Sequence, residues 1–311
     1  MKIDFNTFKD VLTKDEMTVL KLRALYVSHG YSQYKMSKFE EYDLYVKNKD
    51  FLVSDSVITF TDTDGRLLAL KPDVTLSIIK NSADIGRGAL KLCYNENVYR
   101  VSKGTHAFRE IMQLGLECLG DIDTDRITEV VYLATESLRQ ISDESCLELS
   151  HLDIVSGVLS YIGISQDAGK RVLGALGQKN WSLADSILAD EGAALEKRRL
   201  LEELFSTYGE ADSVLDSLDK FAVNKEAADA IDRLRSVVRG VKALSPDAKM
   251  RVDFSLLGDT TYYNGIAFSG FVNGVPTAVL SGGQYDNLMD RMKRRDRAIG
   301  FAVYLDELER L

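Results

Sequence analysis

Arg109, Gln113, Gly115 and Glu117 stand at spacings that could do chemistry. In the run Phe108 to Gly120 the residues alternate strictly. Ile111, Gln113, Gly115 and Glu117 share one face, and Met112, Leu114, Leu116 and Cys118 share the other. The second face is a plain apolar sheet underside. The first places an amide and a carboxylate on a strand that otherwise reads as buried, which is costly unless a ligand uses them. Gln113 and Glu117 would stand roughly 13 Å apart, with Gly115 between them leaving the floor open. Arg109 has the same parity and sits where a loop enters the strand. The pattern implies a pocket floor for a small zwitterion, such as an amino acid.

The elements that must position this floor are also legible. Leu90 to Arg100, the loop Ser102-Lys103-Gly104-Thr105-His106 and the alternating run form a long hairpin. Thr13-Lys14-Asp15-Glu16 is a capping box that starts a helix ending at His29-Gly30. Strands around Phe60 and Leu67 to Leu70 flank an Asp64-Gly65 turn. Lys71-Pro72-Asp73-Val74-Thr75 follows, where Pro72 ends a strand and Asp73 or Thr75 can cap the next helix. On sequence physics alone, capping accounts for Asp73. From about Ser156 to Ser245 the chain reads as helical throughout, contains no proline, and carries stripes such as Trp181, Leu183 and Ile187. The chain then returns to strands: Met250 to Leu256, Tyr262 to Phe271, Val275 to Leu280 across an Asn273-Gly274 turn, and Ala298 to Val303. The basic stretch Arg291 to Arg297 reads as a solvated helix end and loop. The expected fold is α+β, an antiparallel sheet flanked by helices. Residues 1–155 and 246–311 would form the core, and 156–245 a helical insertion.

Composition narrows the function. A chain of 311 residues, 45% hydrophobic and 28% charged, has the makeup of an ordinary soluble globular protein. It has no apolar run long enough to span a membrane and no secretory h-region at its start. Cys93, Cys118 and Cys146 are far apart and read as reduced core residues of a cytoplasmic protein. The three histidines are equally scattered, so no metal constellation is visible, and no cofactor is expected. A net charge of −9 argues against nucleic acid as the main partner.

The hairpin, with an Arg ending one strand, a second Arg beside the loop, and Q-x-G-x-E, resembles motif 2 of class II aminoacyl-tRNA synthetases. The histidyl-tRNA synthetase version is the most similar. Lys71-Pro72-Asp73-Val74-Thr75 resembles that family's R-P-E-G-T segment. Tyr262-Tyr263-Asn264-Gly265 resembles its Y-Y-x-G, Gly282-Gly283-Gln284-Tyr285-Asp286 its glycine turn, and Gly300-Phe301-Ala302 the start of motif 3. These pieces occur in the family's order across nearly the whole chain. The resemblance implies that Asp73, Thr75 and Gln113 take an ammonium, Glu117 and Tyr263 meet an imidazole, Arg100 or Arg109 meets a carboxylate, and Tyr262 belongs to the same histidine-binding set.

The departures concern nucleotide chemistry, which needs fixed cations where negative charge develops. The family's adenine-binding glutamate is replaced by Ser102, its arginine before the Tyr pair by Gly258, and its motif 3 arginine by Glu307. The chain also stops at Leu311, where a synthetase would continue into an anticodon-binding domain. An amino-acid pocket kept without an ATP site resembles the regulatory subunits of ATP phosphoribosyltransferase. That resemblance implies no catalysis by the chain and little role for tRNA. It also implies a homodimeric core, the short-form catalytic subunit as partner, and L-histidine as ligand in the first step of histidine biosynthesis. The rival expectations are a divergent synthetase that still forms histidyl-adenylate, a paralogue reading another amino acid, and a scaffold with a dead pocket.

Overall fold

The computed structural model describes residues 11–48, 52, 57–102, 105–256 and 263–308. Chain order begins with α1 (Lys14–Ser28), β1 (Ser32–Gln33), β2 (Phe39–Glu41), α2 (Tyr42–Lys47), β3 (Thr59–Thr61), β4 (Leu67–Leu70) and α3 (Val74–Asn81). The long hairpin β5 (Ala89–Val101) and β6 (Phe108–Gly120) comes next, then α4 (Thr124–Ile141) and β7 (Ser145–His151). A mostly helical stretch follows: α5 (Leu152–Ile162), α6 (Gln166–Gly177), α7 (Trp181–Asp190), α8 (Leu195–Phe205), β8 (Tyr208–Glu210), α9 (Ala211–Leu215) and α10 (Lys225–Leu244). The chain closes through β9 (Met250–Asp253), β10 (Asn264–Val272), β11 (Leu280–Gln284), α11 (Asp286–Arg291), β12 (Arg297–Tyr304) and α12 (Leu305–Leu308).

Nine strands make the main sheet in the order β1-β5-β6-β12-β11-β10-β7-β9-β8, and β2-β4-β3 make a small second sheet. The central pairs are antiparallel, as expected from the hairpin. Towards the edges β1 runs parallel to β5 and β7 parallel to β9, so the sheet is mixed. Its two faces have different covers. Leu114, Leu116 and Cys118 point into the large core under α1, α4 and α10. The opposite face, with Tyr94, packs on α3, α11 and the small sheet.

The local causes are those of the sequence. Thr13 caps α1 in a full capping box with Glu16, and Asp123 caps α4. Other readings are corrected. The 156–245 stretch is not helical throughout, because Tyr208–Glu210 forms β8 and adds an edge to the sheet through β9. Leu183 is exposed; Ala184 and Ile187 carry the buried stripe of α7. Strand β11 starts at Leu280 rather than Val275, because Pro276 can donate no ladder hydrogen bond. Gly282 and Gly283 therefore lie within a strand, not in a turn.

The basic stretch is only partly solvated. Arg294 is nearly buried and binds the end of α3: its guanidinium donates to the carbonyls of Ile79, Ser82 and Ala83 and to the carboxylates of Asp84 and Asp296. Arg294→Met would take the guanidinium from those carbonyls and leave the buried Asp296 with the Ile85 amide but no cation. We expect a loss of about 3–5 kcal/mol in urea unfolding, the range for breaking a buried ion pair from one side.

Candidate functional site

Glu117 is the centre of the site. It lies on β6 at 2% exposure. One carboxylate oxygen accepts a 2.7 Å hydrogen bond from the Thr75 hydroxyl, and the other accepts one from the Tyr285 hydroxyl. Burial pushes its carboxyl up to about 8; the Tyr285 and Thr75 hydrogen bonds oppose the shift, and the charge of Asp73 adds to it. Close backbone approach makes room for the side chain. Gly300 stands opposite Glu117 across β6 and β12, and a Cβ there would lie 1.9 Å from Oε2.

Helix α3 brings Asp73 and Thr75 to this carboxylate. Asp73 caps the helix, accepting a 2.8 Å hydrogen bond from the Leu76 amide. The capping role is thus real. Desolvation raises its pKa against the pull of the Leu76 amide and the Arg100 guanidinium, and both Tyr94 and Glu117 feel its charge. Thr75 does not stand open in the pocket, since its hydroxyl is committed to Glu117.

Gln113 is buried on the same face, four register positions along β6 from Arg109, opposite Glu96 on one side and Tyr304 on the other. Tyr263 lies at the junction of the two cores and hydrogen-bonds Ser281. Burial holds its phenol well above the ordinary range, helped by Tyr304, Glu117 and Asp73. Tyr262 and Gly258 lie outside the described residues.

The floor at Gly115 is not open. Tyr94 faces it across the hairpin, and a Cβ on Gly115 would lie 2.5 Å from the Tyr94 hydroxyl and 2.2 Å from the Phe301 carbonyl. The glycine accommodates a tyrosine of the protein itself. No open floor is therefore left at Gly115 between Gln113 and Glu117. Sequence reading missed two residues here, Tyr94 and Tyr285. Tyr285 had a signal, its place two residues after the glycine pair.

Arg100 and Arg109 face each other across the mouth of the hairpin. Arg100 donates to the Pro72 carbonyl at 3.1 Å, and Arg109 is exposed. Both line a cavity of about 220 Å³ together with Tyr304, Asp306 and Glu307. Asp306 accepts from the Met112 amide, and Glu307 from the Thr277 hydroxyl. Two carboxylates thus share the walls with the two arginines and would repel a polyphosphate. The arrangement suits a zwitterion better than a nucleotide.

Among the described residues, no cluster of His, Cys, Asp and Glu could hold a metal ion, and no helix is long and apolar enough to cross a membrane.

A family model described as histidyl-tRNA synthetase matches residues 9–308. The ATP phosphoribosyltransferase regulatory subunit of Clostridium kluyveri is 28% identical over 292 residues, 92% of this chain and 74% of the relative. That of Desulfitobacterium hafniense is 31% identical over 255 residues, 81% of this chain and 66% of the relative. In fold, the chain is similar to an ATP phosphoribosyltransferase regulatory subunit/histidyl-tRNA synthetase from Bacillus halodurans. The TM-score is 0.84 at 22% identity, with 100% of this chain and 81% of that chain covered. It is also similar to an ATP phosphoribosyl transferase complex from Thermotoga maritima, with a TM-score of 0.74 at 18% identity over 94% of this chain and 97% of that chain. With a buried carboxylate at the end of a motif 2 hairpin, a capped helix beside it and a family match over nearly its full length, the chain belongs to the histidyl-tRNA synthetase family, and its curated relatives are ATP phosphoribosyltransferase regulatory subunits.

Proposed function

We propose that this chain is a non-catalytic regulatory subunit of ATP phosphoribosyltransferase, and that its pocket senses histidine. The observation that carries the reading is the contrast between two sets of residues along the hairpin. The carboxylate of Glu117 is buried and held by Thr75 and Tyr285, ready for a basic side chain. The cavity at Arg100 and Arg109 has Asp306 and Glu307 in its walls, which disfavours ATP. In the bound state the imidazole meets Glu117 and Tyr263, with Thr75 and Tyr285 holding Glu117 in place. Asp73 and Gln113 take the ammonium, and Arg100 or Arg109 the carboxylate. The chain works in the cytoplasm as a homodimeric core assembled with the short-form catalytic subunit. Histidine acts by linkage, binding one quaternary state more tightly; a coupling of about 1–3 kcal/mol gives a 5–150-fold effect.

The test is reconstitution with the short catalytic subunit of the same organism. Transferase activity should require this chain, and histidine should lower it. Activity indifferent to the chain, or to histidine, would overturn the reading.

A further inference from the structure

Helix α3 is held on its flank as well as at its ends. Glu40 projects from β2 of the small sheet at 8% exposure. One of its oxygens accepts a 2.6 Å hydrogen bond from the Ser77 hydroxyl, and the other pairs with the Lys80 ammonium at 2.9 Å. Ser77 and Lys80 are three residues apart and so lie on one face of α3. The same helix begins with Asp73 and Thr75, two residues of the pocket. Its neighbour on β2, Phe39, points the other way: it is exposed, and its ring meets Phe60 edge-on at 5.2 Å between centroids. A second ion pair ties the segment between β4 and α3 to the main sheet. Lys71, fully buried before the capping loop, binds Glu96 of β5 at 2.9 Å, and its amide donates to the Lys38 carbonyl beside β2.

Buried ion pairs are a weak source of stability; well-packed apolar residues usually do as well or better. The one that links the pocket helix to the small sheet, Glu40 with the part-exposed Lys80, calls for another explanation. A further observation concerns the same region. Tyr45 of α2 is buried, and its hydroxyl has no partner among the described residues, although Glu40 and Asp73 both act on it. An unsatisfied buried hydroxyl leaves this packing short of its optimum, so a different arrangement costs less than it would in a fully satisfied core.

We propose that Glu40 is a positioning residue that transmits occupancy of the amino-acid pocket to the small sheet. Ligand binding at the N-terminus of α3 fixes the helix, and Glu40 carries that fixing to β2 and β4 through Ser77 and Lys80. The proposal rests on the reading of the pocket as a histidine site.

Hydrogen exchange read by mass spectrometry, with and without L-histidine, tests it. In the wild-type chain histidine should slow exchange in α3 and β6 and also in β2 and β4. In Glu40→Gln, which keeps an acceptor for Ser77 but loses the ion pair, the slowing should persist in α3 and fall by about five-fold or more in β2 and β4. Lys80→Met, altering a part-exposed side chain, should reproduce this and serves if the first variant folds poorly. Equal slowing of β2 and β4 in wild type and variants overturns the link. Slowing of α3 and β6 alone in the wild type also overturns it, while leaving the histidine site standing. No slowing anywhere overturns the histidine site and the link with it.

Discussion

Glu117→Gln should weaken histidine binding by about 30-fold or more, corresponding to the 2–5 kcal/mol lost when one partner of a buried, hydrogen-bonded charge pair is removed. The substitution preserves shape, and a glutamine can still accept from Thr75 or Tyr285, so the pocket should remain folded. What disappears is the charge that favours an imidazolium. Isothermal calorimetry of wild type and variant reads the difference directly; a ligand without a basic side chain would hardly notice the change.

The raised carboxyl adds a proton signature. With Glu117 at about 8 and free imidazole at about 6.5, between those values the two partners together hold one proton, and so does the bound ion pair. Binding near neutral pH should therefore exchange little proton with buffer. Below about 6.5 it should release one proton, and above about 8 take one up. Stability has its own sign. A carboxyl that keeps its proton longer in the folded state than in the unfolded contributes stability at low pH, which is lost as pH rises from the ordinary carboxyl value of 4.5 towards 8. Glu117→Gln lacks this dependence, so the variant should gain on the wild type in urea unfolding between pH 5 and pH 8.

Gly300→Ala should cost about 3 kcal/mol or more, the severe end of overpacking. The added methyl would lie 1.9 Å from Glu117 Oε2 and 2.5 Å from the Leu116 carbonyl. The side chain could swing away only by giving up Thr75 and Tyr285, and the carbonyl only by parting β6 from β12. Thermal unfolding should show the loss, with histidine binding falling in whatever protein folds. Gly174→Ala provides the contrast: it lies inside α6 with nothing within 4 Å of the new methyl, and removing a helical glycine should gain up to about 1 kcal/mol.

The hairpin and its polar face were legible because strand alternation is a local pattern, and Gln113 and Glu117 break it visibly. The cap at Asp73 and the capping box at Thr13 are likewise short-range. What could not be read was register and long-range partnership. Nothing near Gly115 says that Tyr94 will lie over it; that depends on which residues face one another across the hairpin. Tyr285 reaches Glu117 from 168 residues away, and only its place after the glycine pair hinted at it. Arg294 looked like one charge in a solvated run, because the carbonyls that claim it belong to α3, more than two hundred residues earlier. Glu40 likewise meets partners on α3 about forty residues away, which no local pattern shows.

The central claim is that an amino-acid pocket survives here without a nucleotide site. Calorimetric titration of the purified chain with L-histidine, with Mg-ATP, and with Mg-ATP after histidine tests it most directly. We expect heat from histidine and none from Mg-ATP in either order. Binding of Mg-ATP that histidine tightens would contradict it, and would mean that Arg100 and Arg109 still serve a phosphate despite Asp306 and Glu307.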